Sequence, residues 1–361
     1  GVQYVASFGL IIGATFMYLQ NYYMQNTPLG YDKDEIIITN MNNNIRKSRD
    51  AFASQVKSFS GIEEVTYAEM LLSSQDQYMG WGRKYRDKDI QFQCLPVEPS
   101  FLKVMNVKIS EGRDFREEDK AKRYGTFVFN ERARTEYGLE IGSLIDSMEI
   151  VGFMPDVKFA SFRTEVTPMA FFVWGTNNWG NQPNYAYIKV KAGSDLRGAM
   201  QHVKTTLQSF DPEYPFNVRF FDEVLNGLYE KERSLSSLIT LFSLIAIFIS
   251  VVGVFGLVVF DSEYRKKEIG IRKVLGSTTE EIIVMFNKTY IRILCVCFVL
   301  GAPIAGYVVH RWLENFAYKT PMYWWVYLIA FAIIAVITIL TVTFQNWRAA
   351  NENPVHSIKN E

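Results

Sequence analysis

The sequence predicts an α+β membrane protein with four transmembrane helices and a large extracytoplasmic α+β domain that carries a β-rich insertion. Three observations lead there. Four apolar runs each approach or exceed the roughly 20 residues a helix needs to cross the hydrocarbon layer. A long polar stretch, residues 20–234, separates the first run from the other three. Within that stretch a strand–helix–strand order occurs twice, with a long interval between the two occurrences.

Composition narrows the class. The 361 residues carry 38 basic and 38 acidic side chains, so neither a polycationic nucleic-acid surface nor an acidic solvating tail is indicated. The hydrophobic fraction of 48% is ordinary as an average. What decides the class is the crowding of apolar residues into the four runs.

The first run, Gly1–Leu19, starts without a methionine or a polar flank. It shows no basic leader and no small-residue cleavage site, so a helix cut inside or just before its start is expected, not a signal peptide. The polar domain follows over 20–234. Glu35–Thr39 (EIIIT) reads as a strand, Asn43–Val56 as a helix and Ile62–Ala68 (IEEVTYA) as a strand. The order returns as Tyr185–Val190, a helix over Ser194–Ser209 with Ser194 or Asp195 near its N-cap, and Phe216–Phe221. Residues 73–184 form the inserted β-rich part, with strand signals at Phe127–Asn130 and Met148–Phe153 broken by Gly112, Gly138 and Gly142. Asp222–Arg233 has helical spacing interrupted only by Gly227, and a stalk continuous with the second span is expected.

That second span is Leu235–Phe260, followed by a coupling loop and helix over 261–290, a third span at Ile291–Val309, a connection at 310–323, a fourth span at Trp324–Phe344 and a tail from 345 to 361. Loop 261–279 holds Arg265, Lys266, Lys267, Arg272 and Lys273, whereas 310–323 holds only Arg311 and Lys319. The first is therefore expected in the cytoplasm, and the second outside with residues 20–234. Trp312, Phe316, Tyr318, Tyr323, Trp324 and Trp325 supply an interfacial aromatic belt on the outer side.

The spans contain almost nothing ionisable. Arg292 stands close enough to its helix end to snorkel, so an ion pathway at membrane depth has no support. In the third span, Gly301 with Ala305 and Ala302 with Gly306 make two small-xxx-small pairs, and Pro303 between them can kink the helix. These positions point to helix packing.

No catalytic constellation is visible. His202, His310 and His356 lie far apart, and neither a metal-ligand spacing nor a nucleophile motif occurs, so no cofactor and no enzyme activity are expected. Cys94 stands alone, and Cys295 and Cys297 face different sides of one helix, which leaves no disulfide or metal site. A phosphate-binding loop of the G-x-x-x-x-G-K-[ST] type is also missing. If ATP drives this protein, another chain hydrolyses it.

The stretch YRKKEIGIRKVLGST between spans two and three resembles the cytoplasmic signature of the FtsX-like, MacB-type permeases of ABC transporters. The likeness extends to QYVASFGLIIGATFMYLQNYYMQNTPLGYDKDEIIIT, EGRDF, FVFNERARTEYGLEIG, IVGFMPDV, PEYPFNVRFFDEVLNGLYEKER, ENFAYKTPMYWW and QNWRAANENPVHSIKNE. It implies a porter-like extracytoplasmic half with a β-rich insertion, and resembles the C-terminal half of long Bacteroidetes members in which two four-span halves are joined. It further implies a permease of the bacterial inner membrane, surrounded by lipid, that works with an ABC ATPase and a second permease unit. A periplasmic adaptor and an outer-membrane channel are further partners in an efflux role. The alternatives within the family are regulation of a cell-wall hydrolase or a sensor, and release of lipoproteins.

Carried over by position, Arg265, Lys267, Glu268, Ile269, Gly270, Ile271, Arg272, Lys273, Leu275 and Gly276 match the segment that couples such permeases to their ATPase. The chemistry suits contact: the basic side chains can pair with acids on a partner, and the isoleucines offer apolar anchors. Ser277 with Glu280 reads as the capping box that starts the following helix. Met154–Pro155 before Asp156 departs from the family pattern, which weakens any role for that turn.

Overall fold

The computed structural model describes residues 2–73, 79–158, 162–177, 182–227, 229–264, 271 and 276–350. In chain order, the first helix is α1 (Val2–Asn26), followed by β1 (Ile36–Asn40), α2 (Asn43–Lys47), α3 (Arg49–Lys57) and β2 (Ile62–Ala68). The inserted part supplies β3 (Met79–Tyr85), β4 (Lys88–Pro96), α4 (Phe101–Val104), β5 (Glu111–Gly112), a 3-10 turn at Glu117–Ala121, β6 (Thr126–Asn130), α5 (Glu131–Tyr137), β7 (Leu144–Ile145), β8 (Met148–Met154) and β9 (Met169–Val173). Then come β10 (Tyr185–Val190), α6 (Leu196–Phe210), β11 (Arg219–Phe220), α7 (Phe221–Gly227), α8 (Glu230–Tyr264), α9 (Thr279–Leu313) and α10 (Trp325–Ala350). The chain divides into two units, Thr27–Glu230 and Gly1–Asn26 with Lys231–Glu361.

In the first of these units, β11, β1, β10 and β2 form an antiparallel sheet in that order. The period of two along a strand sends alternate residues to opposite faces. Ile37, Val65 and Ile188 meet Phe52 and Val56 of α3 and Val203 and Leu207 of α6. Ile36, Ile38 and Tyr187 face the other way. The expected single helix over 43–56 is two helices, because Ser48 leaves helical geometry with φ −115° and ψ 31°. The last strand is shorter than expected: Asn217 gives its N–H to the Asn40 Oδ1 at 2.7 Å instead of to a ladder.

A second sheet comes from the insertion, ordered β3, β4, β9, β6, β8 and β5, with β7 on β8. The pairs β4–β9 and β6–β8 are parallel and the rest antiparallel. Val128, Phe171 and Val173 join Ile36, Ile38, Tyr187 and Phe101 in a core shared with the first sheet. Phe127, Phe129 and Phe172 point the opposite way, against Phe92 and Phe153. Each such buried side chain is worth about 1.5–3 kcal/mol relative to exposure, so the two faces of this sheet hold most of the unit's hydrophobic stabilisation. Tyr187 spans the shared core with its polar end satisfied: Oη accepts from Leu72 N–H at 2.8 Å and donates to the Met70 carbonyl at 3.1 Å.

One turn in this unit requires glycine. Gly125 has φ +81°, and a β-carbon there would press on the Val173 carbonyl oxygen. The close approach lets Thr176 N–H reach the Lys122 carbonyl and Asn177 N–H the Arg123 carbonyl, both at 2.8 Å.

The expected continuous stalk is corrected. Helix α7 ends at Gly227, Tyr229 is a turn residue whose N–H bonds the Asn226 carbonyl at 3.1 Å, and α8 starts afresh at Glu230. Glycine has the weakest helix propensity of any residue but proline, so the interruption falls at the breaker the sequence displayed.

The second unit contains α1, α8, α9 and α10, each with a stretch long and apolar enough to cross a membrane. Phe8, Phe16, Leu294, Ala305, Val326 and Ala330 are among the buried residues of its core.

Candidate functional site

Of the residues matched to the coupling segment, Arg265, Lys267, Glu268, Ile269, Gly270, Arg272, Lys273 and Leu275 lie outside the described residues. Ile271 is helical, and its side chain is 58% exposed. Gly276 turns the chain with φ +97°, a left-handed value that glycine adopts without a steric penalty.

The cap on the following helix falls one residue later than expected. Thr278, not Ser277, is the N-cap of α9: its Oγ1 accepts from Glu281 N–H at 3.2 Å, and Glu281 Oε2 accepts from Thr278 N–H at 3.0 Å. The run Ser277-Thr278-Thr279-Glu280-Glu281 contains the capping-box spacing twice in succession. The extended backbone at Thr278, φ −74° and ψ 155°, selects the second copy, leaving Glu280 and Glu281 together in the first turn, where carboxylates suit the helix dipole.

From that cap α9 runs unbroken for 35 residues. At about 1.5 Å per residue this is about 52 Å, longer than the ~30 Å hydrocarbon layer, so part of α9 extends beyond it. Two of the glycines in its apolar stretch lie close to neighbouring helices. A β-carbon on Gly301 would sit 3.3 Å from the Val5 carbonyl oxygen of α1, and one on Gly306 would meet the Tyr327 hydroxyl of α10 at 2.8 Å. Ala302 and Ala305 are buried between these points. Pro303 is different: it stands exposed on this chain, within the continuous helix.

Several contacts of this unit had no signal in the sequence pattern. Phe8 meets Phe298 edge-on at 5.2 Å and Phe331 at 6.3 Å, and Phe298 meets Phe331 at 5.1 Å, tying α1, α9 and α10 through one aromatic cluster. Gln20, fully buried at the outer end of α1, donates from Nε2 to the Tyr318 carbonyl at 3.1 Å and accepts Thr320 N–H at 2.8 Å. Asn287 Nδ2 donates to Thr343 Oγ1 at 3.0 Å. Polar side chains inside an apolar run read as interruptions when the partner helix is unknown, although one amide satisfying two loop backbone groups is what a dry interior demands.

Among the described residues, no group of three or more His, Cys, Asp or Glu side chains could hold a metal ion. Cys94 is buried, burial pushes its thiol well above the usual range, and the sulfur donates to the Met79 carbonyl. It is placed as a core residue. The described geometry positions helices and turns against one another.

A bundle of apolar helices long enough to span a membrane, joined in one chain to a two-sheet α+β unit, is the build of a membrane permease with an extracytoplasmic domain. Residues 5–206 match the MacB-like periplasmic core domain and residues 240–354 the FtsX-like permease C-terminal domain. The chain belongs to this MacB-like, FtsX-like family of ABC transporter permeases. The macrolide export ATP-binding/permease protein MacB of Chromobacterium violaceum is 23% identical over 230 residues, covering 61% of this chain and 35% of that protein. The protein of the same name from Escherichia coli (strain K12) is 23% identical over 233 residues, with the same two coverages. The stretch matched is thus about a third of these relatives' length. Among solved structures, the periplasmic region of MacB from Actinobacillus actinomycetemcomitans aligns with a TM-score of 0.41 at 13% identity, over 57% of this chain and 97% of that one. The extracellular domain of the ABC-type transporter YknZ from Gram-positive bacteria aligns with a TM-score of 0.37 at 11% identity, over 51% of this chain and 99% of that one.

Proposed function

We propose that this chain is the permease part of an ABC exporter, which takes force from an ATPase on segment 265–276 and uses it to move its extracytoplasmic domain and expel a substrate from the periplasmic side of the inner membrane. The observation that carries the reading is placement. Segment 265–276 lies inside the FtsX-like match and joins α8, the helix that follows the α+β unit, to the long capped α9. The basic residues Arg265, Lys267, Arg272 and Lys273 would pair with partner carboxylates, and Ile269 and Ile271 would seat in an apolar recess. An ABC ATPase supplies hydrolysis, and a second permease unit completes the assembly. A periplasmic adaptor and outer-membrane channel would carry substrate onward.

The test is to replace Arg272 with Glu and Gly270 with Trp in the chain expressed in its own cell. Co-purification of an ATPase and the substrate-dependent export phenotype should both fall, while membrane insertion is kept. Retention of both by the variants would overturn the coupling assignment. Loss of co-purification in a cell with no export phenotype would favour regulation of a partner over transport.

A further inference from the structure

Strand β3 carries two glycines, Gly80 and Gly82, in a ladder with β4 that runs without a register shift from the Met79–Cys94 pair to the Tyr85–Lys88 pair. Glycine inside a strand weakens it, and marks a bulge, a bend or a place where a ligand or another backbone comes close. The even register removes the bulge. β3 is also the end strand of its sheet, so one of its sides has no neighbour in the strand order.

Hydrogen bonds on β4 show which groups occupy that open side. Successive residues of an antiparallel pair alternate between bonding the partner strand and facing away from it. Gln93 gives its N–H to the Pro168 carbonyl at 2.9 Å, and the Gln91 carbonyl accepts the Tyr137 hydroxyl at 2.6 Å, so both face away from β3. The residues opposite them, Gly82 to Gln91 and Gly80 to Gln93, therefore turn N–H and C=O away from β4. The Arg83 Nη1 donation to the Gly82 carbonyl at 2.9 Å agrees with this. Both glycines are exposed, and a β-carbon on either would meet nothing within 4 Å. Natural sheets protect such an edge with proline, bulges or charge. Met79–Gly82 has none of these, and the first charge, Arg83, is turned to Asp146 at 2.5 Å. Beside the glycines lies a trough of about 540 Å³ whose lining includes Gln91, Gln93, Tyr137, Thr167 and Pro168, and no charged side chain.

We propose that Met79–Gly82 is a strand-addition site for an extended, uncharged polar segment of a partner polypeptide. Two residues spaced two apart, each offering one donor and one acceptor in the plane of the sheet, match the main chain of an extended strand. The missing β-carbons let that chain approach. Alternate side chains of the added strand reach the trough, where amide and hydroxyl groups suit neutral polar partners and a charge would be desolvated without a counter-ion. The proposal concerns this edge alone and is independent of the export reading.

The test uses the full chain in lipid nanodiscs and two pools of short blocked peptides, one randomised over Ser, Thr, Asn, Gln and Tyr, the other carrying Asp, Glu, Lys or Arg at alternate positions. The uncharged pool should be retained more strongly. Gly82→Pro removes an outward N–H and leaves the bonds to β4, so retention should fall about tenfold, and N-methylation of alternate peptide amides should cause the same loss with the protein unchanged. Gln91→Ala with Gln93→Ala should erase the preference for the uncharged pool without abolishing retention. Equal retention by Gly82→Pro and the parent chain overturns the proposal, as does equal retention of methylated and unmethylated peptides or a preference for the charged pool. Absence of any retention overturns it too; a halved mass of Gly82→Pro in detergent would then assign the edge to a second copy of this chain.

Discussion

At the scale of single residues, Asp119 is a charge of the α+β unit held by several partners at once. Its side chain is almost fully buried, meets Arg113 through two contacts of 2.8 Å, accepts Arg116 N–H at 2.8 Å and lies 3.4 Å from Lys122. Burial works to raise its carboxyl, but the Arg113 guanidinium and the Arg116 N–H outweigh it and hold the group below the usual carboxylate range. A carboxyl depressed in the folded state stabilises at pH above its unfolded value, about 3.9, and that contribution is lost as pH falls through the folded value. Asp119→Asn should therefore lower stability by about 2 kcal/mol near neutrality, and the deficit should shrink as the pH drops below about 4. Denaturant unfolding of the protein at a series of pH values checks both statements. Gly125 is the second sensitive position. Gly125→Ala combines a left-handed φ with a clash against the Val173 carbonyl, and a loss of about 2 kcal/mol or more is expected in the same assay.

Among the elements, α9 gives the sharpest contrasts. Thr278→Ala removes the side-chain cap and should cost about 1 kcal/mol of helix stability, whereas Ser277→Ala should cost almost nothing. Hydrogen exchange over the first turn of α9 separates the two, and equal protection in both variants would argue against the Thr278 cap. Lower in the helix, Gly306→Leu drives a side chain into the Tyr327 hydroxyl and should depress the melting temperature of the solubilised protein. Pro303→Ala, on the exposed side of the same turn, should leave it unchanged or raise it, since proline inside a helix is unfavourable by about 3 kcal/mol. The small-xxx-small spacing marks one face of α9 because helical geometry fixes which residues share a face. The same spacing was silent on Pro303, whose exposure depends on where α1 and α10 lie, and those positions are set by Phe8, Phe331 and Tyr327 far away in sequence.

Over the whole molecule, the apolar spans and the paired strand–helix–strand order were readable because each is a local pattern of period 3.6 or 2. Strand order was not. The placing of β9 between β4 and β6 depends on contacts between Phe171, Val128 and Leu95, which no local period encodes. The proposed coupling segment rests on its family likeness, and the break between α7 and α8 was readable through Gly227 alone. The shared core of the two sheets carries a further consequence. The insertion supplies Leu95, Phe101, Val128 and Phe171 to the wall around Tyr187, so it is no detachable cassette: excising it would expose much of the face that holds Ile36, Ile38 and Tyr187. Exchange of parts of this unit between relatives by recombination would have to respect that wall, transferring the insertion together with the strands it covers. Diversity in this unit is therefore expected to accumulate by point change along the outer strands β3 and β5, not by the trading of whole modules.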